Sequence, residues 1–247
     1  IILACRGRSR QVSMCCGERL VRSLRASGFA VVRAPHAAAI GRKAVDAWAD
    51  SGGGFRFPCG EAYPECEHLY RVAFDELYAV ASQCMHSIAA YEGGRLQQLC
   101  GAPTNPSGEA FDGIRRGDWP FPASFASIFN YDHGFLNPHQ DRGLLTAICA
   151  GRPSNLSDHN HAVQLWGETP GTGTWRVLDA LVPQDSVLIV AGQQLERVCG
   201  VPAMVHACRI DPREERISML HRGGHPGAPP AGNRQSMALV LAVDEDV

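Results

Sequence analysis

Along the first hundred residues the apolar positions recur at helical spacing, and beyond residue 124 they gather into short runs broken by turn residues. Leu20, Val21 and Leu24 share one helix face, and Ser27-Gly28 has the chemistry that stops a helix, so a helix is predicted over 17–28. The β-branched run from Phe29 to Arg33 reads as a strand, leading through Pro35 into a second helix over 37–50 that ends at Ser51-Gly52-Gly53-Gly54. From about Glu65 to Tyr91, the residues Leu69, Val72, Ala73, Leu77, Val80 and Ile88 fall mainly three and four apart, which predicts a long amphipathic helix. Residues 92–123 are rich in Gly, Pro and Asn and close on Trp119-Pro120-Phe121-Pro122. That change of composition divides the chain into a helical region, 1–123, packing on a strand-rich core, 124–247.

Within the second part, apolar runs at 125–131, 144–149, 162–166, 175–178, 186–190, 201–208, 216–220 and 237–243 predict strands. Short strands at such spacing suit a closed or sandwiched β architecture such as a jelly roll. The expected fold class is mainly β with flanking helices. No internal repeat or low-complexity segment interrupts it.

Composition narrows the function classes. A chain of 247 residues suits one globular unit, and 45% apolar with 19% charged residues supplies a core and argues against disorder. The net charge of -2, from 23 basic and 25 acidic residues, creates no field that would draw nucleic acid or an anionic membrane. No run reaches the roughly 18–20 apolar residues needed to cross a bilayer. The first residue is Ile1, so a preceding targeting segment is neither shown nor excluded, and a cytoplasmic location is the default expectation. Ten cysteines are scattered with no C-x-x-C pair, which predicts reduced thiols and not a cysteine-bound zinc.

The candidate chemistry begins at Pro138-His139-Gln140-Asp141-Arg142-Gly143. Residues two apart on a strand, or at its end, point the same way, so the His139 imidazole and the Asp141 carboxylate can converge on one ion. A third ligand from a neighbouring strand would complete two His and one carboxylate on one face of a metal, leaving open positions, the arrangement of non-haem Fe(II) oxygenases. His206, within Ala203-Met204-Val205-His206-Ala207-Cys208, is the candidate. Ten residues on, Arg216-Ile217-Ser218 repeats the i, i+2 pattern, and its guanidinium and hydroxyl could clamp a carboxylate. A second His-rich cluster, Asp158-His159-Asn160-His161, follows Arg152-Pro153-Ser154-Asn155 and reads as an exposed loop.

These residues resemble the isopenicillin N synthase-like branch of the 2-oxoglutarate and Fe(II)-dependent dioxygenases, and the resemblance covers nearly the whole chain. His139-Gln140-Asp141-Arg142-Gly143-Leu144-Leu145-Thr146 is similar to the family's H-x-D-x-G-L-L-T, and Val163-Gln164-Leu165 with Trp175 to Val177 to the strands that follow. Gly192-Gln193-Gln194-Leu195 through Gly200 resembles its G-D-x-L...G segment, and Ser27-Gly28-Phe29-Ala30-Val31-Val32 its N-terminal S/H-G-F-x-x-V. Asn130-Tyr131 resembles the start of an N-Y-Y segment that helps bind co-substrate. Asp132 stands at the second tyrosine position, Gln193 replaces the usual Asp, and His221-Arg222 follows the R-x-S strand where apolar residues are commoner.

The resemblance implies a double-stranded β-helix, or jelly roll, with helices outside. It implies Fe(II) ligands at His139, Asp141 and His206, co-substrate contacts at Arg216, Ser218, Asn130 and Tyr131, and O2 as oxidant with ascorbate as a candidate reductant. The implied reaction is oxidation of a small-molecule substrate, by hydroxylation, desaturation or cyclisation, with release of succinate and CO2. Two other readings stay open: a 2-oxoglutarate-independent Fe(II) oxidase of the same fold, and an inactive jelly-roll binding module.

Overall fold

The computed structural model describes residues 2–4, 14–48, 55–58, 68–100, 121–130, 136–150, 163–209 and 235–243. In chain order the elements are β1 (Ile2–Ala4), α1 (Met14–Ser27), β2 (Phe29–Arg33), α2 (Pro35–Trp48), β3 (Phe55–Pro58), α3 (His68–Glu92) and α4 (Gly94–Cys100). There follow β4 (Phe125–Asn130), β5 (Leu136–His139), β6 (Leu145–Ala150), β7 (Gln164–Thr169), β8 (Thr174–Val177), β9 (Ser186–Ala191), α5 (Gln193–Cys199), β10 (His206–Arg209) and β11 (Gln235–Leu241). A short 3-10 turn, Asp179–Leu181, lies between β8 and β9.

The strands form two sheets, a larger one in the order β1-β2-β9-β6-β11-β4-β3 and a smaller one in the order β5-β10-β7-β8. Among the described residues every pairing is antiparallel except β1 with β2. Strands β4 to β11 make the jelly-roll core. Strands β1, β2 and β3 extend its larger sheet, so residues on both sides of position 123 share one sheet.

Period-two alternation sorts the larger sheet into two faces. Val187, Ile189 and Ala191 of β9, Ala147 of β6 and Leu239 of β11 join the cluster of buried residues contributed by the helices, which includes Leu24, Leu77, Tyr78 and Ile88. Leu188 and Val190 of β9 and Ile148 of β6 turn the other way and meet Leu165 of β7 and Cys208 of β10 between the sheets. Each large aliphatic side chain fully withdrawn from water stabilises the fold by roughly 1.5–3 kcal/mol. The helices thus hold one side of the sheet rigid while the other side lines a cavity.

Helix α3 realises the long apolar stripe read from the sequence, burying Ala73, Leu77, Ala81, Met85 and Ile88. Helix α1 ends where expected: Gly28 adopts a φ of 77°, and its N–H donates to Leu24 O at 2.7 Å. A Cβ there would also lie 2.7 Å from Met204 Cγ, so this glycine serves the turn and the packing together.

Two expectations differ from the structure. The run 201–208 is a strand only from His206. Before it, the chain is held by bonds outside a strand ladder: Met204 N–H donates to Ala191 O at 3.0 Å, and Ala203 N–H to Glu196 Oε2 at 3.2 Å. The polar segment Leu136–His139, not expected to be a strand, is β5 because it pairs with β10. The run 216–220 lies outside the described residues. Cys16, Cys84, Cys100, Cys149, Cys199 and Cys208 are free thiols. Burial pushes Cys100 and Cys149 up to about 12, the behaviour of inert packing residues.

Candidate metal centre

β5 and β10 run antiparallel with His139 and His206 as direct Cα partners. The pairing brings the two imidazoles together with ring centroids 4.3 Å apart at 52°. His139 is the last residue of β5, and Asp141 stands two residues on, in the turn before β6. His139 Nε2 lies 3.6 Å from Asp141 Oδ1, and His206 Nε2 lies 3.6 Å from Asp141 Oδ2. One donor atom from each residue falls within 4.8 Å of the other two. Donors held about 2.0–2.2 Å from a common ion stand roughly 3–4.4 Å apart, so the three fit a divalent metal after small side-chain adjustments.

Orientation of the rings supports the same reading. Nδ1 of His139 is 2.9 Å from Asn137 O and Nδ1 of His206 is 3.3 Å from Met204 O. A proton on Nδ1 then donates to the carbonyl, leaving the Nε2 lone pair directed at the shared centre.

The Asp141 carboxylate beside His139 holds that imidazole above its ordinary 6.5, with burial opposing the shift. Burial works against ionisation of Asp141, yet the contact with His139, the charge of His206 and the Thr146 hydroxyl outweigh it and hold the carboxyl below its ordinary 3.8. A divalent ion must displace the proton on His139. Apparent metal affinity is therefore expected to fall as pH drops, with the fall beginning above 6.5 and not below it. Co(II) titrations at about pH 8 and about pH 6, with proton release measured at each, check this; equal affinity at both would be the contrary result.

The turn carrying Asp141 is clamped by the start of α5. Gln193 N–H donates to Asp141 O at 2.8 Å, Gln194 N–H to Gly143 O at 3.0 Å, and Gly192 N–H to Leu144 O at 3.0 Å. The Gln140 side chain, lying between the two ligand positions, donates to Ala203 O at 2.9 Å and accepts from Gln193 Nε2 at 3.4 Å. The ligand turn and the approach to β10 are thus tied by one hydrogen-bonded network. Gln193, a departure from the resembled pattern, is the first residue of α5 and belongs to this network.

The donors open onto a cavity of about 180 Å³ between the sheets, lined by His139, Asp141, Thr146 and His206 with apolar side chains such as Phe125, Ile148 and Leu165. Strand register orders its wall. Val240 pairs with Phe125 and Thr146, Ala238 with Ser127 and Ile148, and Ser236 with Phe129. Thr146 donates to Asp141 Oδ2 at 2.5 Å, so the first row is the metal end. Ser236 sits four residues along β11 from Val240, about 13 Å away at strand rise.

Sequence reasoning gave Ser236 and Thr146 no role, although Thr146 closes the H-x-D-x-G-L-L-T segment. The signal for Ser236 is present, because Arg234-Gln235-Ser236-Met237 repeats the pattern of Arg216-Ile217-Ser218-Met219. Arg216, Ser218, Tyr131 and Arg234 lie outside the described residues, as do Asp158, His159 and His161. Asn130 closes β4 with its backbone opposite Gln235, at the Ser236 end of the wall.

Compared as sequence, the chain matches no family model and no curated protein. Compared as structure, it is similar along its whole length to a full-length Neurospora crassa protein solved in complex with alpha-ketoglutarate and 5-formyluracil. That likeness has a TM-score of 0.65 and 11% identity, covering 100% of this chain and 85% of that one. The rice dioxygenase for auxin oxidation matches with a TM-score of 0.63 and 14% identity over 99% of this chain and 83% of its own. The Arabidopsis thaliana dioxygenase for auxin oxidation 1, in complex with 2-oxoglutarate, matches at 0.54 and 13% over 100% and 93%. The chain shares the jelly-roll fold of these solved structures, and the His139, Asp141 and His206 cluster sits within it.

Proposed function

We propose that this chain is a non-haem Fe(II) dioxygenase that uses 2-oxoglutarate to oxidise a small molecule, in the manner of the isopenicillin N synthase-like branch. The observation that carries the reading is the convergence of His139, Asp141 and His206 at one end of a largely apolar cavity inside a jelly roll. Two neutral nitrogens and one carboxylate are the donor set of non-haem Fe(II) oxygenases and leave positions open for co-substrate and O2. When bound, Fe(II) with 2-oxoglutarate supplies the oxidising chemistry, coupled to formation of succinate and CO2.

The chain's own contribution is position, charge and dryness. His139, Asp141 and His206 hold the metal. The apolar wall of Phe125, Ile148, Leu165 and Val240 excludes water beside it. A five-carbon dicarboxylate lying along the cavity would chelate at the metal end and carry its second carboxylate toward the Ser236 end. A buried carboxylate needs paired donors there, and Arg216 with Ser218 is one proposed anchor. The cavity position of Ser236 favours a second, Arg234 with Ser236. Asn130 and Tyr131 are proposed co-substrate contacts.

Anaerobic protein loaded with Fe(II) should develop the visible charge-transfer absorption of a 2-oxo-acid chelate on adding 2-oxoglutarate, and His139→Ala should abolish it. Succinate formation and O2 uptake should then depend on 2-oxoglutarate. Removing the anchoring arginine leaves a buried carboxylate unpaired, a loss of roughly 3–5 kcal/mol, so either Arg216→Ala or Arg234→Ala should weaken 2-oxoglutarate binding about 100-fold or more. O2 uptake without 2-oxoglutarate would mark an oxidase of the same fold. Absence of Fe(II) binding would mark a non-catalytic module.

A further inference from the structure

Thr146 occupies an inward position of β6, is 1% exposed, and faces the cavity in the row nearest the ligands. Its Oγ1 lies 2.5 Å from Asp141 Oδ2, within the range of a charge-assisted O–H···O bond. The hydroxyl donates, since the carboxylate has only acceptors to offer. Oδ1 and Oδ2 each lie 3.6 Å from one imidazole, His139 Nε2 and His206 Nε2 respectively, and what makes them unequal is the Thr146 hydrogen bond on Oδ2.

The inequality matters for a metal. A carboxylate can bind through one oxygen or chelate through both. Chelation by Asp141 would consume a position that the proposed reaction requires for co-substrate or O2. We propose that Thr146 is a positioning residue of the metal centre: its hydroxyl occupies Asp141 Oδ2 and leaves Oδ1 as the single carboxylate ligand, so that Asp141 fills one coordination position and not two. The inference rests on the metal reading of His139, Asp141 and His206 proposed above.

The bond is reinforced from both sides. Thr146 is pinned in the sheet, with Val240 and Val190 as Cα partners. The Asp141 backbone is fixed independently by Gln193 N–H. Neither backbone can drift from the other without breaking a strand pairing or the α5 clamp. The side chain acts through Asp141 and touches no reacting atom, so it is tested on the metal itself.

The test uses Co(II) as a spectroscopic probe with Thr146→Val, which keeps the shape and removes the hydroxyl, and Thr146→Ser, which keeps the hydroxyl and removes the methyl. Thr146→Val is expected to weaken Co(II) binding about 10–100-fold and to change the d–d absorption, as loss of an outer hydrogen bond to a ligating carboxylate does. Thr146→Ser is expected to restore both the affinity and the spectrum. Thr146→Val binding Co(II) as the wild type does, with the same spectrum, overturns the inference and leaves the metal reading standing. Equal impairment in both variants assigns Thr146 to packing and also overturns it. A wild-type protein that takes up no Co(II) or Fe(II) overturns the metal reading and this inference together.

Discussion

Asp141→Asn is expected to weaken Fe(II) and Co(II) binding by about 150- to 4,000-fold, because an uncompensated ion in a partly dry site costs roughly 3–5 kcal/mol. Among the described residues lining the cavity, Asp141 contributes the carboxylate, and the two histidines bind as neutral donors. The amide keeps the size of the side chain and an oxygen that can still accept from Thr146, so what changes is charge. Fold stability should respond differently. The folded values of both partners are displaced by their contact, His139 upward and Asp141 downward. The Asp141 contribution is present above 3.8 and lost as pH falls through its lowered folded value. The His139 contribution is full below 6.5 and lost as pH rises through its raised folded value. The contact therefore stabilises the protein at mildly acid pH, and its contribution declines as pH rises through the raised folded value of His139. Thermal melting without metal should show Asp141→Asn approaching wild type as pH rises through that range, while metal titration at alkaline pH shows the full loss. A variant that binds Co(II) as tightly as the wild type would remove Asp141 from the ligand set.

Local periodicity carries the three long helices, α1, α2 and α3, and most of the strands. Leu69, Val72, Ala73, Leu77, Val80 and Ile88 repeat at helical spacing, so α3 is legible, and its observed bounds, His68–Glu92, stay close to the expected 65–91. The apolar run in Ser186 to Val190 likewise marks β9. What periodicity does not show is structure made by pairing. Leu136–His139 contains an asparagine and a proline and has no alternating pattern, yet it is a strand because β10 supplies its partner. Helix α5 is hidden between Gly192 and Gly200, a stretch read only as similar to a G-D-x-L...G segment. In the structure they are its N-cap and its C-cap, the latter at a φ of 71°. Seven residues are too few for a helical period to declare itself, and the helix is stabilised by burial of Gln194 and Leu195.

The reactive groups of the site are legible in the sequence because chemistry marks them. A histidine and a carboxylate two apart are conspicuous, and His206 stands out as a histidine within an apolar run. Their supports are not conspicuous. Gln140 looks like the spacer between two ligands, and Thr146 like the polar end of an apolar segment. Both functions are defined by partners away from the residue itself, Ala203 in one case and the ligand turn in the other. Ser236 is obscured by a second triplet of the same spelling: R-x-S occurs at 216 and again at 234, and strand register brings Ser236 to the cavity.

Gly192→Ala is the change outside the ligand set expected to do most damage, and the reason is space. The φ of Gly192 is -107°, open to any residue, so the backbone imposes no demand for glycine. A Cβ at this position would lie 2.2 Å from Gly143 O, 2.9 Å from Gly143 C and 3.0 Å from Asp141 O. These are backbone atoms of the ligand turn, which cannot rotate away as a side chain would. Relief requires α5 and the turn to separate, and that strains the Gln193–Asp141, Gln194–Gly143 and Gly192–Leu144 bonds. Overpacking alone costs about 1–3 kcal/mol and each weakened bond about 0.5–1.5 kcal/mol more. At about 2–4 °C per kcal/mol for a chain of this size, the melting temperature should fall by about 5–30 °C. Co(II) affinity, measured well below the melting range, should fall as well, since Asp141 moves with its carbonyl. Gly171→Ala provides the contrast. Gly171 has a φ of 71° in the β7–β8 turn, and a Cβ there meets nothing within 4 Å. It should lose about 1–2 kcal/mol to backbone strain and leave metal binding unchanged. If both glycine variants lower stability but neither touches Co(II) affinity, the α5 clamp holds the fold and has no part in holding the metal.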